Sequence, residues 1–367
     1  MRIGVPKEVK DGEARVGLTP EGVGSLVADG HEVWVQADAG ARSGFEDQAY
    51  KAAGARLVVS PEEVYACPMV VKVKELQRAE LLHLHPGTLV LAYQQLSRDP
   101  VLLQGVLNAG ITCMAYEGVV LPGGARPLLA PMSTLAGLLS PQIAAWALQR
   151  REGHLSGCGI LLSGMADVAP ANVLILGEGV AGSASAEAFL RLGCRVVLLG
   201  RDAARMAGLQ QRLSGGLETV ISSEEALAAT LPKIDVVVGA VSIPGRLTPK
   251  LISRTMLQTM RPGTVLIDIG IDMGGIAETS QQTKLSDPLF VEAGVLHYGV
   301  PNIPALVPRT ATQALCLATL PYVARIAAAG LAGAVEAMPE LREGWLVDQG
   351  RVVHPGLAQD TGRPWQP

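Results

Sequence analysis

Short apolar runs and helical patterns alternate along the chain, and each apolar run has about the length of a β-strand. In the first 128 residues these runs alternate with stretches whose apolar positions recur at helical spacing. The predicted strands are residues 32–36, 69–73, 88–92 and 112–115, and the predicted helices are residues 20–29, 62–67 and 100–109. This alternation is typical of α/β domains with mainly parallel sheets.

The second half of the chain repeats this alternation in an order that predicts a doubly wound sheet. The predicted strands are residues 173–176, 196–199, 236–240 and 265–269, and the predicted helices are residues 183–192, 224–230 and 255–260. A long helix at residues 310–329 is expected to return the chain to the first domain. We therefore predict an α/β protein of two Rossmann-like, doubly wound domains with a cleft between them, formed by residues 1–128 plus 310–367 and by residues 129–309.

The turn after the strand at 173–176 carries the most specific motif of the chain. Gly177-Glu178-Gly179-Val180-Ala181-Gly182 fits the pattern G-x-G-x-x-G between a strand and a helix. The first glycine permits a tight turn, the second lets a pyrophosphate approach the backbone, and the third lets helix and strand pack closely. The amide groups at the start of the helix point at the phosphates. The domain at 129–309 is therefore expected to bind a dinucleotide.

The end of the next predicted strand bears on which dinucleotide is bound. Proteins that bind NAD(H) usually have an Asp or Glu about 20 residues past the first glycine, which accepts hydrogen bonds from the ribose hydroxyls. This chain has Gly200-Arg201 there, with Arg205 one turn later. A guanidinium can bind a 2′-phosphate through two hydrogen bonds, so NADP(H) is the expected cofactor. The alternative is NAD(H), with Asp202 holding the ribose or with the arginines simply solvated.

Composition and charge narrow the class of protein. The chain has 367 residues, enough for two domains, and 49% of them are hydrophobic. The net charge of −4 offers no basic surface for nucleic acid or anionic lipid. The five scattered cysteines show no C-x-x-C, and the six histidines show no metal spacing. We expect a cytoplasmic protein with no signal peptide, membrane segment, nucleic-acid partner or metal.

A nicotinamide cofactor implies hydride transfer, which at an amino or hydroxy acid needs a cation for the carboxylate, a group that polarises the carbonyl or imine, and a proton shuttle. Ligands of doubly wound sheets bind beyond the carboxyl ends of the strands. At such ends the chain has Asp272 and the pair Lys72 and Lys74, which the two-residue period of a strand places on one side. Arg15 and Asn302 lie in loops. Each candidate also has a plainer interpretation as a solvated or turn-forming residue.

These residues resemble those of a known family, the alanine dehydrogenases, whose relatives include the cofactor domains of nicotinamide nucleotide transhydrogenases. The likeness runs from Met1 to about Pro321 and weakens in the tail. The motifs that carry it are Met1-Arg-Ile-Gly-Val-Pro-Lys-Glu8, Arg15-Val-Gly-Leu-Thr-Pro20, Val71-Lys-Val-Lys-Glu75, Leu129-Ala-Pro-Met-Ser133, Gly239-Ala-Val-Ser-Ile-Pro-Gly245, Ile271-Asp-Met-Gly-Gly275 and Val307-Pro-Arg-Thr310. The resemblance implies two Rossmann-like domains and a homo-oligomer, usually a hexamer.

The resemblance also implies roles for single residues. Arg15 is expected to hold the substrate carboxylate, Lys74 to bind the carbonyl or amine, and Asp272 to take part in proton transfer beside the nicotinamide. The loop around Asn302 is expected to close over substrate and nicotinamide, and the turn at Met132-Ser133 to face the cleft. Cofactor contacts are expected at Ser133, Gly177, Gly179, Val180, Ala181, Gly182, Gly200, Arg201, Arg205, Ala240, Val241, Ile269, Asp272, Val300 and Asn302.

The sequence departs from the family pattern at two positions. The family has a histidine that takes part in catalysis in a strand-end motif aromatic-Leu-His-Leu, which here reads Tyr93-Gln94-Gln95-Leu96. Gln95 therefore replaces the histidine, and an amide does not shuttle protons near neutral pH. Loss of a general acid/base typically costs about 10²–10⁴-fold in rate. The second departure is Gly200, which stands in place of the family's ribose-binding aspartate.

The leading hypothesis is an NADP(H)-preferring oxidoreductase of the alanine dehydrogenase type, which acts at the α-carbon of a small amino or 2-oxo acid in the reductive direction. Gln95 would orient the substrate. A variant is the reduction of a preformed imine, since an iminium needs only a hydride. The alternative is an NADPH-binding sensor or pseudoenzyme, against which the retention of Arg15, Lys74 and Asp272 argues. A transhydrogenase subunit is a third, weaker alternative.

Overall fold

The computed structural model of the chain describes residues 1–153, 155–213, 216–242 and 247–366. The chain divides into two compact units, a first unit of Met1–Met132 with Ala305–Pro367 and a second unit of Ser133–Pro304. The expected division at residues 128 and 309, with its separate roles for the two domains, stays a prediction. Residues 243–245 of the motif that begins at Gly239 lie outside the described residues.

The described residues form short strands, which are numbered β1 to β15 in chain order. They are β1 (Arg2–Val5), β2 (Glu32–Gln36), β3 (Arg56–Val58), β4 (Met69–Val71), β5 (Leu89–Ala92), β6 (Thr112–Ala115), β7 (Asn172–Leu176), β8 (Arg195–Gly200), β9 (Leu217–Ile221), β10 (Val236–Gly239), β11 (Val265–Asp268), β12 (Leu289–Glu292), β13 (Val295–Tyr298), β14 (Trp345–Asp348) and β15 (Arg351–Val352).

The described α-helices are numbered in the same way. They are α1 (Pro20–Ala28), α2 (Asp47–Ala52), α3 (Pro61–Tyr65), α4 (Pro100–Asn108), α5 (Ala130–Ala147), α6 (Val180–Arg191), α7 (Ala203–Arg212), α8 (Glu224–Thr230), α9 (Arg254–Leu257), α10 (Pro308–Ala337) and α11 (Pro355–Thr361). Short 3₁₀ turns lie between several of them.

The sheet of the first unit has the strand order β15-β14-β6-β5-β4-β1-β2-β3. Strands β1 to β6 pair in parallel, and β14 and β15 add an antiparallel edge beside β6. The central strand β4 is wholly buried, in keeping with a parallel strand covered on both faces. The parallel strands place the residues that follow β1, β4, β5 and β6 along one edge of the sheet.

The sheet of the second unit has the order β12-β13-β11-β10-β7-β8-β9. The strands pair in parallel except for the edge pair β12 and β13. The order reverses between β7 and β10, which defines the switch point where ligands of doubly wound sheets bind. The predicted α/β class with two Rossmann-like, doubly wound sheets is therefore confirmed.

Helix α10 is the one helix within the described residues that is long and apolar enough to span a membrane, judged by length and composition. It is also packed on the start of the first unit. The hydroxyl of Thr312 accepts a 3.3 Å hydrogen bond from the Val16 amide and lies 3.1 Å from the hydroxyl of Ser43. Gly330, with φ 72°, interrupts its helical geometry. The helix expected at residues 310–329 is thus present and extends further at both ends.

Two local expectations need correction, and the structure also assigns the C-terminal tail. Met132 and Ser133, expected at a turn, lie in the first turn of α5, which begins at Ala130. Strand β4 ends at Val71, so the two-residue alternation does not extend to Lys72 and Lys74. The C-terminal tail, which shows no clear periodicity, forms strands β14 and β15 and helix α11.

Candidate functional site

The glycine-rich turn of the second unit joins β7 to α6, as the motif predicts. Gly177 adopts φ 106°, which favours glycine, and a Cβ built there would lie 2.7 Å from the carbonyl oxygen of Ala240. A Cβ on Gly182 would collide with the carbonyl oxygen of Gly177. Both positions therefore require glycine for the backbone path and for the approach of helix to strand.

The middle glycine of the turn has a different environment. Gly179 is the N-cap of α6 and has no side chain that could cover the first amides of the helix. A Cβ built on Gly179 meets no atom of the described residues within 4 Å. Open space in front of uncovered amide groups suits a pyrophosphate, and Val180 and Ala181 contribute the first helical residues there. These residues therefore fit the cofactor that the motif predicts.

Other expected cofactor residues follow the neighbouring strands. The amide of Ala240 donates to the carbonyl of Leu176, and the amide of Ile269 donates to that of Gly239, each at 2.9 Å. A Cβ on Gly177 would lie 3.2 Å from the amide nitrogen of Val241. The structure thus brings Gly177, Ala240, Val241 and Ile269 to one edge of the sheet at the switch point.

Two further expected contacts, Val300 and Ser133, make none of these backbone bonds. Val300 is buried just beyond the end of β13. Ser133 lies in α5, at the start of the second unit.

Gly200 ends β8 and is buried, whereas Arg201 and Arg205 are exposed. Asp202 caps α7, because its side chain accepts a 3.0 Å hydrogen bond from the Arg205 amide. Its second carboxylate oxygen lies 3.9 Å from Nε of Arg205. The capping bond gives Asp202 a structural role, which weakens the alternative that it swings in to hold a ribose.

Glu178, the variable residue between the first two glycines, was not predicted to contribute. Its carboxylate lies over Gly200, and a Cβ built on Gly200 would be 2.5 Å from Oε2 of Glu178. Its Oε1 accepts a 3.2 Å hydrogen bond from the Asp202 amide. The sequence could have indicated this role, because an acidic residue within a predicted phosphate-binding turn is itself a candidate cofactor contact.

Asp272 and Asn302 both lie where the backbone turns sharply. Asp272 is exposed in the 3₁₀ turn Ile271–Met273, which ends at Gly274 with φ 94°. Asn302 has φ 62°, a left-handed conformation in which asparagine is several-fold enriched. It directly precedes the 3₁₀ turn Ile303–Leu306. Asp272 follows the carboxyl end of β11, as the sequence predicts, and Asn302 follows the end of β13, a strand that the sequence did not predict.

Arg15 in the first unit is almost completely buried against Glu13. Its Nε and Nη2 donate to the two carboxylate oxygens of Glu13 at 2.7 and 2.6 Å, and its Nη1 lies 3.0 Å from Sδ of Met132. Burial alone would lower the pKa of Arg15, but the hydrogen bonds and charge of Glu13 raise it. The bidentate pair fixes the plane of a guanidinium that stays charged.

Lys72 belongs to a buried ion cluster. Its Nζ donates to Glu80 at 2.6 Å and to Glu8 at 3.2 Å, and the hydroxyl of Tyr65 also donates to Glu80. Burial would lower the pKa of Lys72, but the two carboxylates raise it. Lys72 is therefore charged, and Glu8 and Glu80 bind its amine. These contacts give the residue a structural role that requires no bound substrate.

Lys74 lies near two carboxylates, one of which it shares with Lys72. Its backbone amide donates to Glu8 at 3.3 Å, and its charge lowers the pKa of Glu117, a residue just beyond β6. Burial is the larger effect and raises the pKa of Glu117 overall. The two lysines thus share Glu8, but Glu80 binds the amine of Lys72, whereas the charge of Lys74 acts on Glu117.

Gln95, just beyond β5, has φ 47° and is half-buried. Its backbone amide donates a 2.9 Å hydrogen bond to Oε1 of Glu117, and the backbone amide of Gln94 donates to the same oxygen at 2.9 Å. Its side-chain oxygen lies 3.5 Å from Nη1 of Arg98. Glu117 therefore holds the backbone at position 95.

Position 95 also borders open space. Together with Glu75, Arg78 and Arg98, Gln95 lines an open groove of about 360 Å³.

Glu13 and Glu117 are the other residues that the sequence did not single out. Glu13 is buried against Arg15, and the half-buried Glu117 lies near Lys74 and Gln95. Glu117 could have been found because it follows a predicted strand, where ligands of such sheets bind. Within the described residues, no group of three His, Cys, Asp or Glu could hold a metal ion.

The two doubly wound sheets, one with a glycine-rich turn that fits a dinucleotide, define the class of Rossmann-fold oxidoreductases. The sequence profile of the alanine dehydrogenase/PNT N-terminal domain matches residues 4–136, and that of the C-terminal domain matches residues 140–355. The chain belongs to the alanine dehydrogenase/PNT family.

Known proteins support this assignment over the full length. The chain is 42% identical to an alanine dehydrogenase of Halomonas elongata, over 99% of this chain and 97% of that protein. It is 39% identical to an alanine dehydrogenase of Bacillus subtilis, over 100% of this chain and 96% of that protein. A solved L-alanine dehydrogenase has a TM-score of 0.95 at 40% identity and 99% coverage of both chains. A transhydrogenase structure from Sinorhizobium meliloti has a TM-score of 0.81 at 26% identity, over 97% of this chain and 99% of that one.

Proposed function

We propose that this protein transfers a hydride at the α-carbon of a small amino or 2-oxo acid, in the manner of an alanine dehydrogenase and mainly in the reductive direction. The single observation that carries the proposal is the turn at Gly177 to Gly182, which fits a dinucleotide within a chain of this family. The bound nicotinamide supplies or accepts the hydride. The protein has to bind the acid, orient its α-carbon and move a proton.

Arg15 and Lys74 are the proposed substrate-binding residues of the first unit. The plane of the Arg15 guanidinium is fixed by Glu13, so it is organised in advance to bind a carboxylate. Lys74 is proposed to donate a hydrogen bond to the carbonyl oxygen or to hold the amine. Met132, which contacts Arg15 at Nη1, is proposed to bound the space for the substrate side chain.

Asp272 of the second unit is the proposed proton-transfer group, and Asn302 is proposed to bind cofactor and substrate. Both lie in sharp turns beyond the carboxyl ends of strands, the region where ligands of doubly wound sheets bind. The further proposed cofactor contacts are Ser133, Val180, Ala181, Ala240, Val241, Ile269 and Val300.

Gln95 separates two versions of this reaction. Reductive amination of a free oxo acid requires protonation of a carbonyl and loss of water, which an amide does not assist as an acid. Reduction of a preformed imine requires only the hydride. We therefore propose that imines, or amines that form them with a 2-oxo acid, are better substrates than ammonia.

The expected cofactor from the sequence is NADP(H), because Gly200 provides no carboxylate and Arg201 and Arg205 can bind a 2′-phosphate. This preference stays a prediction. The Glu178 carboxylate lies at the same place and favours NAD(H). A cytoplasmic location and a homo-oligomer, usually a hexamer in the family, complete the proposal.

The test measures binding first and turnover second. The purified full-length protein is titrated with NADH and NADPH by tryptophan fluorescence. The nucleotide that binds is then assayed with 2-oxo acids plus ammonia, 2-oxo acids plus amines, and preformed cyclic imines. Turnover of a carbonyl or imine substrate supports the proposal. A rate with pyruvate and ammonia typical of alanine dehydrogenases, with imines ignored, would overturn the imine version.

A Gln95→His variant tests the cause of that preference. The left-handed backbone at position 95 accepts histidine, which is enriched there. The restored proton shuttle should raise turnover of pyruvate with ammonia by at least about tenfold, toward the range for general acid–base catalysis. Gln95→Asn is the matched control, because it keeps an amide and should give no gain. Equal rates for both variants, with unchanged nucleotide binding, would contradict this role.

A second candidate is a nucleotide-binding sensor without turnover, and the amide at position 95 is the observation that favours it. Lys74→Met separates the two functions. An enzyme should lose turnover in this variant while keeping nucleotide binding. Tight binding with no turnover of any substrate, in the wild type and in Gln95→His alike, would support the sensor.

A further inference from the structure

The end of β8 lacks the carboxylate that usually holds the adenosine ribose, but the space beside it contains another one. Gly200 has no side chain, and the Glu178 carboxylate reaches over it from the turn after β7. A Cβ on Gly200 would lie 2.5 Å from Oε2 and 3.0 Å from Cδ of Glu178. A side chain at position 200 and the observed position of Glu178 are therefore mutually exclusive.

The Glu178 side chain is held in this position by the backbone that follows β8. Its Oε1 accepts a 3.2 Å hydrogen bond from the Asp202 amide. The residue sits between Gly177 and Gly179, so its backbone is part of the phosphate-binding turn. Its side chain is half-buried, which keeps the carboxylate at the protein surface where a nucleotide can reach it.

Two opposing groups lie at this edge. A carboxylate accepts hydrogen bonds from the 2′- and 3′-hydroxyls of an unphosphorylated ribose and repels a 2′-phosphate. Arg201 and Arg205 attract a phosphate, although Arg205 is shared with Asp202 at 3.9 Å. Both arginines are exposed to solvent, whereas the half-buried Glu178 carboxylate accepts a hydrogen bond from the backbone that follows β8.

We propose that Glu178 is the residue that selects between the two nicotinamide dinucleotides, by supplying from the glycine-rich turn the carboxylate that position 200 lacks. It binds the ribose hydroxyls of NAD(H) and opposes the 2′-phosphate of NADP(H), so the wild type binds NADH at least as tightly as NADPH. This inference rests on the proposed dinucleotide binding and refines which nucleotide is bound.

The test uses the full-length protein and calorimetric titration with ADP-ribose and 2′-phospho-ADP-ribose, which lack the nicotinamide. Glu178→Gln keeps the size of the side chain and removes its charge. It should weaken ADP-ribose binding by about tenfold, the usual effect of losing a charged hydrogen bond, and should strengthen binding of the 2′-phosphorylated ligand. Glu187→Gln is the control, since Glu187 lies further along α6 and pairs with Arg191. It removes the same charge and should change neither affinity.

A double variant identifies the group that binds the phosphate. Glu178→Gln with Arg201→Ala should lose the gain for the 2′-phosphorylated ligand. The inference would be overturned if the ratio of the two affinities in Glu178→Gln stayed within twofold of the wild-type ratio. It would also be overturned if the wild type bound the 2′-phosphorylated ligand more tightly than ADP-ribose. Because neither ligand can react, these results do not depend on turnover. Failure of the proposed reaction would instead appear as normal binding of NADH or NADPH without conversion of any substrate.

Discussion

At the scale of single residues, similar side chains have different roles because their neighbours differ. Lys72 and Lys74 are two positions apart, yet Lys72 is enclosed by Glu8 and Glu80, whereas Lys74 lies near Glu117. The sequence showed two basic residues after a buried strand. Only the tertiary structure shows that carboxylates from other segments, Glu8 and Glu80, bind the amine of Lys72.

Lys72→Met should destabilise the protein strongly. The substitution leaves Glu8 and Glu80 buried without their cation, and breaking a buried pair in this way costs about 3–5 kcal/mol. The midpoint of thermal unfolding should therefore fall by roughly 10 °C, measured by circular dichroism or calorimetry. Lys51→Met, at an exposed position, should change it little. A shift for Lys72→Met as small as that of the control would show that the cluster does not stabilise the fold.

His297 makes stability depend on pH. Burial lowers its pKa below the usual 6.5, and the neutral ring lies 2.8 Å from the Thr279 hydroxyl through Nε2 and 2.9 Å from the Val295 carbonyl through Nδ1. The unfolded chain takes up a proton below about pH 6.5 that the folded chain resists. The stabilisation is therefore present above pH 6.5 and is lost as the pH falls below it.

The measurement for His297 compares thermal unfolding of the wild type and of His297→Gln from pH 8 to pH 5. The wild type should lose more stability below pH 6.5 than the variant, which has no ring to protonate. Parallel decreases in both proteins would assign the pH dependence to other groups.

At the scale of elements, one turn combines positions that serve packing with a position that serves binding. In the β7–α6 turn, a side chain on Gly182 would collide with the carbonyl of Gly177, while Gly179 faces open space. The pattern G-x-G-x-x-G in the sequence predicted this turn and the strand-to-helix context. It did not predict that the variable residue Glu178 lies over the end of β8, because that contact joins two elements distant in sequence.

Two alanine substitutions separate these functions of the turn. Gly182→Ala should lower the thermal unfolding midpoint, because the new Cβ forces helix α6 away from β7. Gly179→Ala should leave that midpoint nearly unchanged and weaken NADH or NADPH binding by at least about tenfold, because the methyl group occupies the space for the pyrophosphate. Fluorescence titration and calorimetry on both variants provide the check. Unchanged nucleotide binding in Gly179→Ala would contradict dinucleotide binding at this turn.

At the scale of the whole molecule, the chain returns to its first sheet after completing the second. Helix α10 hydrogen-bonds to the start of the first unit, and β14 pairs with β6 through Trp345 and Val347. Strands β14 and β15 therefore cover an edge of the first sheet that unpaired backbone groups would otherwise expose. The tail has little periodicity because its strands are short and lie at the edge.

Removal of residues 345–367 should destabilise the first unit and promote aggregation. The deletion exposes the edge of β6 and uncovers the core residues that pack against Val347 and Leu357. Light scattering and size-exclusion chromatography should show aggregates, and calorimetry should show an earlier unfolding transition. A deletion of the last four residues alone is the control. A truncated protein as stable and monodisperse as that control would show that the added strands are dispensable.

The sequence by itself determined the elements that depend on local pattern. Buried parallel strands are continuous apolar runs, helices have their 3.6-residue spacing, and the glycine motif specifies its own turn, so the α/β class and the doubly wound sheets followed directly. Such patterns do not define where a helix begins, which is why Met132 was expected in a turn although it lies in the first turn of α5.

The tertiary structure decided what depends on contacts between distant segments. The pairing of Arg15 with Glu13 is local. The ion cluster of Lys72, the support of Gln95 by Glu117 and the position of Glu178 over Gly200 instead join different segments of the chain. Charge and hydrogen bonding act over a few ångströms in space, and the sequence does not list which side chains come that close. For this protein, the sequence therefore predicts which residue types are available for chemistry, and the fold decides which of them already have partners within the protein.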